Sequence, residues 1–501
     1  MDMLDNLGLG VSVAMAPLNL LYCFIGVFLG TVIGVLPGLG PLATMSMLLP
    51  LTFGLPPTAA LIMLAGIYYG SQYGSSTTAI LVNLPGEASS AVTTIDGYQM
   101  ARQGRAGPAL VAAGLGSFFA GSVATLLVAF VAQPLTSLAL SFGSAEYFSL
   151  MVVGLVSSVA LASGSILKAV AMIAAGLLIG LTGTDIYTGT PRFTFGTMEL
   201  LGGVDFVAIA VGFFGICEIM RNLEAGNLSR PAIASVGRLW PSRSDFMRMI
   251  PPAIRGTAIG SFLGILPGGG ALLSSFVAYN VEKKVSRNAA EFGSGAIEGV
   301  CAPEAANNAG AQTSFIPLLS LGIPSNAVMA LMVGAMIIQG IVPGPEVIEK
   351  NPDLFWGLIA SMWIGNAMLV VLNLPLVGIW VKLLSVRYTI LFPAIVAFCC
   401  IGVYSVDNSE LAVYQVTIAG VAAYVLVKLG CEVTPFVLGF ILGPMLEEHL
   451  RRAMIISDGD PTVLVTRPIS AILLAIAAAA LVLVSLPAIV KKRQAVFVDD
   501  L

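Results

Sequence analysis

Apolar residues follow one another along this chain in runs long enough to cross a bilayer, with few polar intervals between them. Such runs lie near residues 18–36, 39–53, 58–84, 107–135, 146–163, 165–183 and 204–220. After a charged stretch they resume near 252–279, 313–342, 354–384, 390–404, 411–429, 434–446 and 469–490. A helical crossing takes about 20 apolar residues, so the pattern predicts an all-α polytopic membrane protein. Several runs are too short, or too interrupted by Gly and Pro, for ordinary spanning helices. With 55 Gly and 28 Pro among 501 residues, the chain is expected to contain broken helices and re-entrant hairpins. Lipid tolerates such breaks only where protein or a water-filled cavity satisfies the freed backbone groups.

The pattern also repeats. Residues 26–40, GVFLGTVIGVLPGLG, match residues 256–270, GTAIGSFLGILPGGG. Gly26, Gly30 and Gly34 correspond to Gly256, Gly260 and Gly264, and the LPGxG tip of one segment to that of the other. Further along, Asn83-Leu84-Pro85-Gly86 aligns with Gly322-Ile323-Pro324-Ser325, and Ser117–Gly121 with Ser361–Gly365. Three anchors in the same order make an internal duplication. The expected division is a first membrane repeat over 1–220, a cytoplasmic linker over 221–250, a second repeat over 251–450 and a final transmembrane helix at 469–490.

Composition settles the class. Of the residues 57% are hydrophobic and 10% charged, against about 25% charged in soluble domains, which excludes one very large soluble core. A net charge of −4 gives no reason to expect nucleic acid as a partner. The six cysteines lie in or beside apolar runs without metal or disulfide spacing. The start MDMLDNLGLG lacks the basic segment of a cleavable signal.

Charge placement predicts orientation, because cytoplasmic loops collect Lys and Arg. The first basic residue is Arg102, whereas the second glycine motif is bracketed by Arg221 to Arg255 and by Lys283, Lys284 and Arg287. The first motif is therefore expected to enter from the periplasm and the second from the cytoplasm, as an inverted-topology repeat. Lys491-Lys492-Arg493 put the C-terminus in the cytoplasm. Arg451, Arg452 and Arg467 then fall outside, among Glu447, Glu448, Asp458 and Asp460.

The glycine ladders read as close helix packing. The tips that follow combine Pro, which cannot continue a helix ladder, with glycines that let the chain turn. Half-helix N–H groups there can attract anions and freed carbonyls can ligate cations; a structural kink is the other reading. Two polar stretches, Tyr68–Thr78 and Ala302–Ser314, offer hydroxyls and carboxamides, although Ser and Thr in membrane helices often bond their own backbone. Glu298 and Glu304 stand out as ionisable groups near apolar runs, which are costly at membrane depth. A loop position beside Arg287 and Glu291 is the alternative for Glu304, and Glu87 and Asp96 carry the same ambiguity.

The segments VIGVLPGLGP, GSQYGSSTTAILVNLPGEASS, DGYQMARQGRAGPAL, GILPGGGALLSSFVAYNVEKK and EGVCAPEAANNAGAQTSFIPLLSLGIPSNAVMALMVGAM resemble those of the large membrane subunit of tripartite tricarboxylate transporters. The likeness runs from about Leu20 to about Arg467. It departs at Gln72 and Tyr73, where smaller residues are expected. The resemblance implies a bacterial inner-membrane permease driven by an ion gradient, which agrees with the lack of a G-x-x-x-x-G-K-[ST] motif. It also implies a periplasmic substrate-binding protein and a small four-helix membrane subunit as partners, with a tricarboxylate or related carboxylate as substrate. On this reading the two tips and two polar stretches converge. Gly38, Gly40, Ser75, Ser76, Thr77, Gly268, Gly269, Gly270, Asn307, Asn308, Pro324 and Ser325 would bind substrate. Pro37, Asn83, Pro267, Glu304 and Thr313 would couple a cation, with Na⁺ expected near Pro37 and Pro267 and H⁺ left open; no other cofactor is implied.

Readings from other classes are a stand-alone organic-anion carrier, a channel and an intramembrane enzyme. The chain has no H-E-x-x-H motif and a single histidine, His449, so no catalytic constellation is expected.

Overall fold

The computed structural model describes residues 3–36, 38–161, 165–185, 187–224, 234–266, 270–384, 388–407 and 409–485. Helices dominate them, with one two-residue strand pair, Gly183–Thr184 against Pro191–Arg192. Among the described residues six helices are long and apolar enough to cross a membrane: Pro17–Gly34, Ala106–Ala139, Phe206–Glu224, Pro352–Asn373, Glu410–Lys428 and Pro468–Ser485. The chain is an all-α polytopic membrane protein. It divides into two compact units, Met1–Thr136 with Glu218–Gly402, and Ser137–Cys217 with Val403–Leu501.

The first unit contains both glycine motifs. Its helices α1 (Pro17–Gly34), α2 (Pro41–Leu48), α3 (Pro57–Val82), α4 (Ala91–Arg102) and α5 (Ala106–Ala139) carry the first copy. The second copy comprises α6 (Arg243–Ile265), α7 (Gly270–Val285), α8 (Glu298–Thr313), α9 (Phe315–Leu321), α10 (Ala327–Ile338) and α11 (Pro352–Asn373). Side chains added at Gly26, Gly30 and Gly34 would collide with the carbonyls of Met63, Ile67 and Ser71, so α1 and α3 touch backbone to backbone. The same holds for Gly256, Gly260 and Gly264 of α6 against Ala302, Ala306 and Gly310 of α8.

The second sequence anchor has a common backbone. Helix α3 ends at Asn83 with φ +58° and α9 at Gly322 with φ +75°, both left-handed caps that turn the chain. Corresponding helices also touch in opposite register. Gln72 and Ser76 of α3 meet Asn307 and Glu304 of α8. On α11, Asn366 meets Phe118 of α5, and Trp363 meets Ser122.

The polar stretches take up more helix than the apolar runs lead one to expect. The hydroxyl-rich stretch within 58–84 does not interrupt the helix, since α3 runs unbroken through it. The run at 252–279 is two helices, α6 and α7, divided at the LPGGG segment expected to break it. The polar stretch before 313 is itself a helix, α8, with all of its residues buried. Hydropathy cannot flag such a helix because protein, not lipid, surrounds it.

In the second unit the Val433–Ile456 and Ile166–Gly180 helices cross at Gly176, Gly180 and Gly439, again at backbone distance.

Candidate functional site

The residues that meet between the two copies are polar and buried. Helix α3 presents Gln72 and Ser76, α8 presents Glu304, Asn307 and Asn308, and α4 presents Thr93, all of them buried. Glu304 is 1% exposed. Its Oε2 accepts from the Ser76 hydroxyl at 2.7 Å and its Oε1 from Thr93 at 2.5 Å. These lengths are those of O–H···O⁻ bonds. The loop position is therefore overturned for Glu304, which sits on a buried helix.

One turn along α8, the Asn307 amide bridges the copies. Its Nδ2 donates to Glu87 Oε1 at 3.1 Å, and its Oδ1 accepts from Gln72 Nε2 at 3.2 Å. Gln72 Oε1 is buried without a partner among the described residues. Glu87 lies against the first tip, its Cβ 3.2 Å from where a Gly40 side chain would begin. In the second copy Gly270, with φ +40°, faces Asn326 in the same way. Asn326 Oδ1 caps α10 by accepting from the Met329 N–H, while its Nδ2 has no partner among the described residues.

The remaining candidate positions divide. Gly38 turns at φ +78° with its carbonyl accepting from Asn222. Ser75 shares a proton with Ser90 at 2.9 Å, beside Gly86. Thr77 and Thr313 bond back to their own helices, at Tyr73 and Ala309. Asn308 turns toward α5, donating to Ser117 and to the Glu304 carbonyl. Ser325 donates to the Ser314 carbonyl at 3.5 Å, next to buried Pro324 in the turn after Gly322. Asn83 is exposed at its cap. Pro37, Pro267, Gly268 and Gly269 lie outside the described residues, and with them the expected Na⁺ positions.

Structure also separates the other acids. Asp96 anchors a loop: its Oδ1 accepts the N–H groups of Gly293, Gly295 and Ala296, and its Oδ2 the Tyr279 hydroxyl. Glu298 is held by both Arg248 nitrogens and by Asn288. Buried Glu282 takes a bidentate pair from Arg255. Thr93 and Gln72 are participants that spacing alone did not single out as site residues, though the unexpected Gln72 marked the place.

The second unit holds a separate cavity of about 100 Å³ bounded by Asp185, Tyr187, Arg192, Glu447 and Glu448. Asp185 accepts from the Tyr187 and Thr188 N–H groups and pairs with Arg192 and Arg451. The Tyr187 N–H above all, with the Thr188 N–H and the two guanidinium groups, holds its carboxyl below the usual range. Glu447 closes the network on the same two arginines.

Fold and site define a multi-pass helical membrane protein in which polar, interrupted helices bury a shared cluster of acids, amides and hydroxyls. Residues 20–438 match the family described as "Tripartite tricarboxylate transporter TctA family". The chain belongs to that family, which is one of transporters. It is 60% identical over 500 residues, 100% of each chain, to an uncharacterized 52.8 kDa protein in the TAR-I ttuC′ 3′ region of Agrobacterium vitis. An uncharacterized protein in the TAR-II ttuC′ 3′ region of that organism is 62% identical over 241 residues, covering 48% of this chain and 100% of that one. No solved structure matches.

Proposed function

We propose that this chain is the permease subunit of a binding-protein-dependent importer of tricarboxylates or related carboxylates in the bacterial inner membrane, driven by a Na⁺ or H⁺ gradient. A periplasmic binding protein delivers the substrate, and a small four-helix membrane subunit completes the assembly. The observation that carries this reading is the bridge from the Gly40 tip through Glu87 and Asn307 to Gln72. It links a helix break of one copy to the polar helix of the other. The opposite register of α3 against α8, and of α5 against α11, supports an inverted-topology repeat, as in many secondary transporters. Tip N–H groups near Gly40 and Gly270 would take substrate carboxylates, and Glu304 would neutralise charge through the coupling ion.

Uptake of labelled citrate and a panel of di- and monocarboxylates into vesicles tests the proposal. The vesicles carry this chain with its small subunit, with or without the binding protein, under an imposed Na⁺ or H⁺ gradient. Uptake that needs both the binding protein and one gradient is expected. Uptake without the binding protein would indicate a stand-alone carrier, and gradient-independent, non-saturable flux a channel.

A further inference from the structure

We infer that Glu304 is the group that takes up and releases the coupling ion, and that this ion is a proton, with Ser76 as a two-position hydroxyl relay; this rests on the transport reading above. Glu304 is enclosed, and among the described residues neither it nor Glu87 forms an ion pair with Lys, Arg or His. Burying a carboxylate without a counter-charge is costly, and the group escapes the cost by binding a proton or a cation.

A proton fits the arrangement as it stands. Thr93 and Ser76 oxygens lie 2.5 and 2.7 Å from the two carboxyl oxygens. Oxygens that share a hard cation keep bonds of about 2.3–2.6 Å each to the ion, as in calcium sites, and so stand further from one another at ordinary ligand angles. The hydrogens in these contacts are the hydroxyls' own, so a proton can join the network without moving an oxygen, whereas a shared cation would have to part them.

Ser76 then makes both charge states tenable. Its Oγ lies within reach of two acceptors, Glu304 Oε2 at 2.7 Å and the Gln72 carbonyl at 3.1 Å. A hydroxyl has one proton to donate and can accept as well. While Glu304 is ionised, Ser76 donates to it. When a proton from water bonds to Oε2, the new O–H donates to Ser76 Oγ, whose own proton turns to the Gln72 carbonyl. Release reverses these steps and returns the proton to water, so no buried group is orphaned in either state.

A cavity of about 10 Å³, bounded in part by Tyr73, Ser76, Ser117 and Glu304, lies on the α5 side. That is about the space of one water, enough to pass a proton and too little for a hydrated ion. On the other side, Asn307 connects the turn of α8 that carries Glu304 to Glu87 and the Gly40 tip. Two uncompensated negative charges there oppose an incoming carboxylate, and protonation of Glu304 removes one of them. Carboxylate binding and proton binding therefore favour each other.

The other titratable groups around Glu304 are accounted for. Tyr73 faces it from α3 and donates to Asn366, while Glu87 comes from the turn before α4 and Cys301 from its own helix. Asp96 of α4 is committed to the 293–296 loop and Tyr279, and Glu282 of α7 to Arg255 of α6; Arg248 of α6 is committed to Glu298 and Glu291.

The test is infrared difference spectroscopy of the full chain in lipid, titrated with acid and base in Na⁺-free buffer and again with Na⁺. We expect a carboxyl C=O stretch that gives way to carboxylate bands as pH rises, is absent in Glu304→Gln and is indifferent to Na⁺. In Ser76→Ala the midpoint moves to higher pH, because a donor to the ionised form is gone. This variant keeps the test open if Glu304→Gln fails to fold. Bands that do not titrate, that persist in Glu304→Gln, or that shift on adding Na⁺ at constant pH would overturn the proposal. The spectra stand apart from the vesicle assay: a titrating Glu304 in a chain that moves no carboxylate would refute the transport reading and leave the proton site intact. In active vesicles, Glu304→Gln loses proton-driven accumulation; accumulation that persists in a folded variant would count against coupling through this residue.

Discussion

Gly30→Ala is a one-carbon test of how the first copy is built. The added Cβ would collide with the Ile67 carbonyl oxygen and lie 2.8 and 2.9 Å from the Ile67 Cα and carbonyl carbon. All three are backbone atoms on α3, so no rotamer change relieves the clash, and α1 must move outward by roughly 0.5–1 Å, a gap that forfeits a quarter to a half of each contact's attraction. A helix pair in lipid depends on van der Waals packing for its association. A few tens of atom pairs at about 0.1–0.2 kcal/mol each, losing about a third of that, amount to a loss of about 1–3 kcal/mol. The usual cost of overpacking has the same size. Gly8 provides the control, since nothing lies within 4 Å of an added Cβ there and Ala gains helix propensity of up to about 1 kcal/mol. Thermal unfolding in detergent should show Gly30→Ala with a lower midpoint and Gly8→Ala with an unchanged or higher one. Equal midpoints would refute the claim that α1 and α3 meet backbone to backbone.

Two further outcomes follow from the ion pairs. Arg255→Met should destabilise the chain by about 1–3 kcal/mol, less than a fully buried pair because Arg255 is 36% exposed while Glu282 is 1% exposed. Arg255→Met with Glu282→Met should recover most of the loss, and thermal midpoints of the single and double variants decide it. In the second unit, Asp185 has a lowered folded pKa, so its contribution is present above the unfolded value of about 3.9 and is lost as pH falls through the folded one. Limited proteolysis of the exposed Phe193–Met198 loop should therefore stay constant from neutral pH down to about 4 and rise only below it. Arg451→Met should raise cleavage at neutral pH, and cleavage that climbs between pH 7 and 5 would contradict the network.

Glycines at helical spacing were legible because a ladder such as Gly26, Gly30 and Gly34 has a single physical use, close approach. Glu304 was legible as an acid among apolar neighbours, but its depth was not, since α8 is too polar to read as a membrane helix. Its burial comes from α3, α4, α6 and α7, which contribute the surroundings that lipid would otherwise supply. Thr93 left no trace, because α4 is short and mixed in character and its hydroxyl acquires meaning only across 211 residues of chain. Asp96 had the opposite fate: it read as a candidate functional acid, and three N–H groups from the 293–296 loop make it a fastener.

The two copies agree most in backbone and differ most in charge. Asn83 and Gly322 adopt the same left-handed cap, and Gly40 and Gly270 approach the residue four positions after each cap. That residue is Glu87 in one copy and Asn326 in the other. Glu87 accepts a hydrogen bond from Asn307, whereas Asn326 caps a helix and has amide hydrogens that no described residue takes. Duplication accounts for the shared turns, since a left-handed cap and a tip glycine are backbone requirements that either copy must meet. It does not account for an acid opposite an amide. Two acids would place like charges beside both tips, opposing any anion, and two amides would leave charge compensation to Glu304 alone. With one of each, an acid stands beside the first tip and a neutral amide beside the second, a charge asymmetry that the shared backbone does not require.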